Sequence, residues 1–127
     1  MKKIEYDISM NDNKSIQKRT GYLYTLHNPD NYGQVIFLGI HKSSDVWTAT
    51  ELTTGLRVTH ECGPRRNLVA FLDGHTRNRL GFENSTFFAE IVDEVKVRRF
   101  QGKANLNNNL IVDELMDTLE EHQDTVV

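Results

Sequence analysis

Cysteine is nearly absent: Cys62 stands alone in 127 residues, so no disulfide closes within the chain, and a lone thiol suits a reducing compartment. Long apolar runs are missing too. The longest, 34–40 and 67–72, fall far short of the roughly 18 residues that span a bilayer, which excludes an inserted helix. The start, Met1 to Asp7, has the charges of a signal peptide without its apolar stretch of about 7–15 residues, so a cytoplasmic location is expected. A net cationic field is also lacking. Fifteen Lys and Arg against eighteen Asp and Glu give −3, which excludes a polybasic membrane binder or a histone-like wrapper of nucleic acid. Loops that cradle phosphates are absent as well: no Gly-x-x-x-x-Gly-Lys-Ser/Thr, no Gly-x-Gly-x-x-Gly and no Gly-x-Ser-x-Gly occurs, and the glycines are scattered at turns.

What is present is enough for one core. The chain is 38% hydrophobic, with six Phe, four Tyr and one Trp, and its length matches a single domain over 1–127. Lys3 to Ile8 reads as a first strand, and the polar, unpatterned stretch 10–20 as a loop. From Gly21, the residues Tyr22, Tyr24 and Leu26 share one face of a strand that the turn residues Asn28-Pro29-Asp30-Asn31 stop. Gly33 to His41 is continuously β-branched and aromatic, as expected of a central strand buried on both faces. Val46 to Glu51 and Leu56 to His60 alternate on either side of Thr53-Thr54-Gly55, completing a β-meander.

Pro64 is suited to a helix start, because its missing N–H would have no partner there. Leu68, Val69, Phe71 and Leu72 supply an apolar face and Gly74 a left-handed stop, with a strand over 68–72 as the competing reading. His75 to Gly81 reads as a loop, 86–92 and 94–100 as two further strands, and 105–123 as an amphipathic helix followed by a frayed tail, 122–127. The expected fold class is α+β: a mainly antiparallel twisted sheet of five to seven strands, a short mid-chain helix and a C-terminal helix packed on one face.

Charge is segregated along the chain. Between positions 57 and 79 lie Arg57, Arg65, Arg66, Arg77 and Arg79 against only Glu61 and Asp73, a local balance of +3. Arginine in the first turn of a helix is unfavourable next to the positive end of the macrodipole, by about 0.3–1 kcal/mol, which is the sign of an anion site rather than of a stability choice. Its planar fork of donors also matches phosphate. A short helix sets the loop 75–79 within about 15 Å of Arg65. The expected site is therefore Arg65, Arg66, Arg77 and Arg79, with His75 and Asn78 as polar readers and Tyr22, Tyr24, Trp47 and Phe82 as stacking candidates. The competing reading makes these arginines ordinary surface partners of Glu61, Asp73, Glu83 or the C-terminal helix, each pair worth little.

These residues favour a small non-catalytic binding protein that recognises a nucleotide or a nucleic-acid segment and acts by sequestration or regulation, with no cofactor and no metal. A second basic group, Lys96, Arg98, Arg99 and Lys103, would extend the patch for nucleic acid if its strand lay alongside. The alternative is a protein-interaction module or inhibitor. Six carboxylates between Asp113 and Asp124 meet no Lys or Arg, so the 105–123 helix presents an acidic face that can dock on a basic partner, and its apolar strip is long enough to pair two chains as a homodimer. A third reading, a metal-dependent nuclease, rests on Asp73 with Glu94-Val95-Lys96. His60, Glu61, Cys62 and His75 lack the spacing of a zinc site or a catalytic thiol pair and read as structural.

Overall fold

In a computed structural model the protein is described over residues 1–9, 15–29, 31–58, 63–77, 87–99 and 106–125. Five strands, β1 (Lys3–Ser9), β2 (Ile16–Asn28), β3 (Asn31–Ser43), β4 (Val46–Glu51) and β5 (Leu56–Arg57), form one antiparallel sheet in simple meander order. Three helices follow, α1 (Arg65–Arg77), α2 (Phe87–Arg99) and α3 (Leu106–Thr125). The architecture is α+β, as the alternation of the first half and the helical spacing of the last segment imply.

The polar stretch 16–20, expected as a loop, is the first part of β2 instead. It lies in register with β1, Glu5 opposite Thr20 and Ser9 opposite Ile16. A ladder is made by backbone groups, so a polar segment joins a sheet when a neighbour supplies the partners, and such a segment carries no apolar alternation to announce it. β3 is central, as its composition demands. Ile36, Leu38 and Ile40 point to one side and Phe37, Gly39 and His41 to the other, and all six are buried. Ser44 takes a left-handed φ of 56° in the β3–β4 turn and Gly55 one of 70° before β5. The strand expected over 56–60 is shorter, Leu56–Arg57, with positions 59–62 outside the described residues.

The sheet curls until its ends meet. The Ser9 N–H donates to the Gly55 carbonyl at 2.7 Å, and the Ser9 hydroxyl donates to the Thr54 carbonyl at 3.0 Å, joining β1 to the loop that enters β5. Curling divides the apolar side chains between two clusters. In one, Tyr24, Leu26, Ile36, Leu38, Ile40 and Ala49 of the sheet pack against Leu68 and Leu72 of α1 and Phe88 and Ile91 of α2. In the other, Tyr6, Phe37 and Leu52 are covered by the partly buried Ile111, Val112 and Leu115 of α3.

Two expectations in the helical half are corrected. Gly74 does not stop α1; it is buried inside a helix that runs three residues further, to Arg77. A lone glycine costs a helix roughly 1 kcal/mol relative to alanine, which packing of Leu68 and Leu72 outweighs. The two strands expected over 86–92 and 94–100 are one helix, α2. Phe87, Phe88, Ile91, Val92 and Val95 recur at intervals of three, four and one, a pattern that keeps them on one helical face although aromatic and β-branched residues suggest strands. The C-terminal helix is placed as expected and continues through Thr125.

Candidate functional site

The start of α1 is positioned by the sheet beneath it. The Trp47 N–H donates to the Gly63 carbonyl at 3.2 Å, pinning the entry segment to β4, and the Pro64 carbonyl then accepts from the amides of Asn67 and Leu68. Arg65 is thereby held above two rings. Its guanidinium carbon lies 5.3 Å from the Tyr22 ring centre and 5.7 Å from that of Trp47, and the rings are themselves 6.2 Å apart and tilted by 30°. A guanidinium lying on aromatic faces gains about 0.5–1 kcal/mol at an exposed site and keeps its in-plane N–H donors turned outward.

Arg65 and Arg66 are both exposed, no acid lies in the first turn of α1, and neither arginine forms an ion pair among the described residues. With Met1, Pro64 and Val69 they line an open cleft of about 630 Å³. Asp73, a candidate partner for the arginines, instead accepts a 2.6 Å hydrogen bond from the Tyr24 hydroxyl, which takes Tyr24 out of the stacking set as well. Glu61, Glu83 and Phe82 lie outside the described residues.

Of the rest of the expected cluster, only the helical backbone of His75 and Arg77 is described. His75 and Arg77 belong to the last turn of α1, their side chains not among those described, and Asn78 and Arg79 lie outside the described residues. At about 1.5 Å per residue, Arg77 is some 18 Å along the axis from Arg65, so the longer helix sets the two arginines at its opposite ends. The second basic group falls in part on a helix rather than on the expected strand. Lys96 and Arg98, expected to share one face of a strand, belong to a helix, where residues two apart do not share a face, and Lys103 is outside the described residues. The same turn of α2 separates Glu94 from Lys96, removing the extended geometry that the nuclease reading requires. Among the described residues no group of three or more His, Cys, Asp or Glu side chains lies where it could hold a metal ion. No helix among them is long and apolar enough to cross a membrane.

Three buried polar arrangements escape a reading of the sequence. The Glu51 carboxylate accepts from the backbone N–H of Thr53 (2.9 Å) and Thr54 (2.8 Å) and from both hydroxyls, tying the β4–β5 turn. Glu-x-Thr-Thr-Gly is legible in hindsight as a turn capped by its own carboxylate. Tyr6 lies against Gly39, where a Cβ would stand 2.5 Å from its ring, and shares a 2.9 Å hydrogen bond with His41 Nδ1. Burial pushes the Tyr6 hydroxyl above its ordinary range and, with help from the Arg19 cation, holds His41 below its own. Asn108, in the first turn of α3, is fully buried. Its side-chain oxygen accepts from the Asp7 N–H at 2.8 Å and its amide donates to the Asp7 carbonyl at 2.7 Å. A carboxamide thus replaces the strand that β1 lacks on its outer edge.

No family model matches this chain, and neither a curated protein nor a solved structure does.

Proposed function

We propose that the protein is a non-catalytic binding protein that takes a phosphate-bearing ligand, a nucleotide or a nucleic-acid segment, at the start of α1, and acts by sequestering or regulating it. The observation that supports this reading is the pair of exposed arginines without carboxylate partners among the described residues, one of them laid over Tyr22 and Trp47 beside an open cleft. Two guanidinium groups, the helix-start amides and the positive end of the macrodipole all favour negative charge at one place. The ligand-contacting set contracts to Arg65 and Arg66, with Tyr22 and Trp47 as the platform. Arg77, at the far end of α1, would join only for a ligand long enough to follow that helix, which favours a nucleic-acid segment over a mononucleotide if it takes part.

Trp47 is the sole tryptophan and lies under the Arg65 guanidinium, so its fluorescence reports on that platform. Titration with adenosine triphosphate and with a short single-stranded oligonucleotide, over a salt series, should show affinity falling with salt, for the oligonucleotide by about 0.7 logarithmic units per decade of salt for each phosphate held. Replacing Arg65 and Arg66 together by Ala should weaken binding by at least a hundredfold, since each charged hydrogen bond is worth about 1.5–3 kcal/mol. Unchanged affinity in that double variant would defeat the reading.

A second reading, docking of a basic protein on α3, is favoured by one observation. Asp113, Glu114 and Asp117 are exposed on that helix. The homodimer reading is weakened, because Ile111, Val112 and Leu115 of the apolar strip cover the sheet.

A further inference from the structure

Between β3, α2 and α3 lies a second cavity, of about 290 Å³, lined by Val35, Phe37, Val92, Val95, Val112 and Met116. Its size sits near the lower end of the range for small-molecule sites, and its walls are mainly apolar, with Glu51, Thr53 and Lys96 as the polar residues that could orient a ligand, as such sites are built. The polar groups on its wall are unequal. Glu51 reaches the cavity, but both its oxygens are occupied by the donors of Thr53 and Thr54. Lys96 also lines it, is exposed, and forms no ion pair among the described residues. A neutral apolar guest would leave that cation unused, whereas a guest with an anionic head would neutralise it while its tail replaces water against the valines.

We infer that this cavity is a binding site for a small aliphatic carboxylate, its tail lying among Val35, Phe37, Val92 and Val95 and its head at Lys96. The site is separate from the arginine cleft and does not depend on a phosphate ligand. Met116, 38% exposed, stands at the rim where the tail enters.

Isothermal titration calorimetry with hexanoate, octanoate and decanoate tests it, with octanol as the neutral comparison. The expected result is one guest per chain, affinity rising about fourfold for each added methylene, the worth of one buried CH₂, and octanoate binding at least tenfold more tightly than octanol. Lys96→Glu should erase the preference for octanoate over octanol and leave octanol binding intact. Val95→Phe should abolish binding by filling the cavity. Because that variant alters the packing of α2, Met116→Trp provides a second block at an exposed position, with folding checked by circular dichroism. Absence of binding to the unaltered protein would overturn the inference, as would affinity independent of chain length, an unaltered octanoate preference in Lys96→Glu, or full binding in a folded Met116→Trp protein.

Discussion

The two sides of the curled sheet are covered by different means. On the side of α1 and α2, four helical side chains, Leu68, Leu72, Phe88 and Ile91, are buried against six from the strands. On the other, α3 contributes no fully enclosed apolar residue among those described; Ile111, Val112 and Leu115 are only partly buried, and the fully buried residue it contributes is Asn108. The first side is held by apolar area, which is non-directional and tolerates sliding. The second adds to its partly buried apolar contacts two directional hydrogen bonds to Asp7, which fix where α3 crosses β1 and lose their value if either partner moves. A helix with many carboxylates and no internal cation gains little from its own sequence and needs such an anchor.

The largest effect should come from the apolar side. Leu72→Ala removes a fully buried side chain and should lower global stability by about 2–5 kcal/mol, depending on how far α1 can settle into the void. Urea unfolding followed by Trp47 fluorescence and by circular dichroism should give one shifted transition. If the loss were below about 1 kcal/mol, the first cluster would not be the main source of stability and the contrast between the two sides would fail.

Asn108→Ala should cost less, about 1–3 kcal/mol, because it leaves the N–H and carbonyl of Asp7 without their partners in a buried place. Its signature is local rather than global. Hydrogen exchange at the Asp7 amide should accelerate and α3 should lose protection, with the α1 and α2 amides unchanged. Equal loosening of all three helices would mean that the carboxamide anchors the whole fold rather than one helix.

The same division explains what the sequence made legible. In the meander the period-2 pattern, the turn residues and the doubly buried β3 all agree, so the strands from β2 to β4 are readable from Tyr22, Leu38 and Trp47 and their neighbours. The lower part of β2 was not, since Gln17, Lys18 and Arg19 have no apolar period and owe their strand to β1 opposite. α2 reads as strands because its apolar residues are β-branched or aromatic and fit both periods over short windows; the spacing Phe87, Ile91, Val95 and Phe88, Val92 holds the decisive signal. Within the candidate site, Arg65 and Arg66 at a helix start followed from Pro64 alone, whereas the rings beneath Arg65 depend on a contact between residues 22, 47 and 65 that no local pattern encodes. Asn108 is harder still. Its partner is 101 positions away, and a run of three asparagines reads naturally as capping chemistry.

The smallest effect, and the one that probes the interior behind α3, concerns pH. His41 is buried and its imidazole is held below the ordinary value of 6.5, chiefly by burial and further by the Arg19 cation. The folded protein therefore binds fewer protons than the unfolded chain at pH values between the depressed value and 6.5. Stability rises with pH where the unfolded state binds more protons, so this contribution is complete above 6.5 and is lost as pH falls below it. Urea midpoints at pH 7.5 and 5.5 should differ in that direction, and His41→Gln should reduce the difference whatever it does to the absolute midpoint. Tyr6→Phe discriminates the cause. It removes the hydrogen bond at Nδ1 but leaves the ring against Gly39, so if burial dominates, the pH dependence should persist. Its disappearance in Tyr6→Phe would show that the tyrosine hydroxyl, rather than enclosure by the curled sheet, keeps His41 neutral.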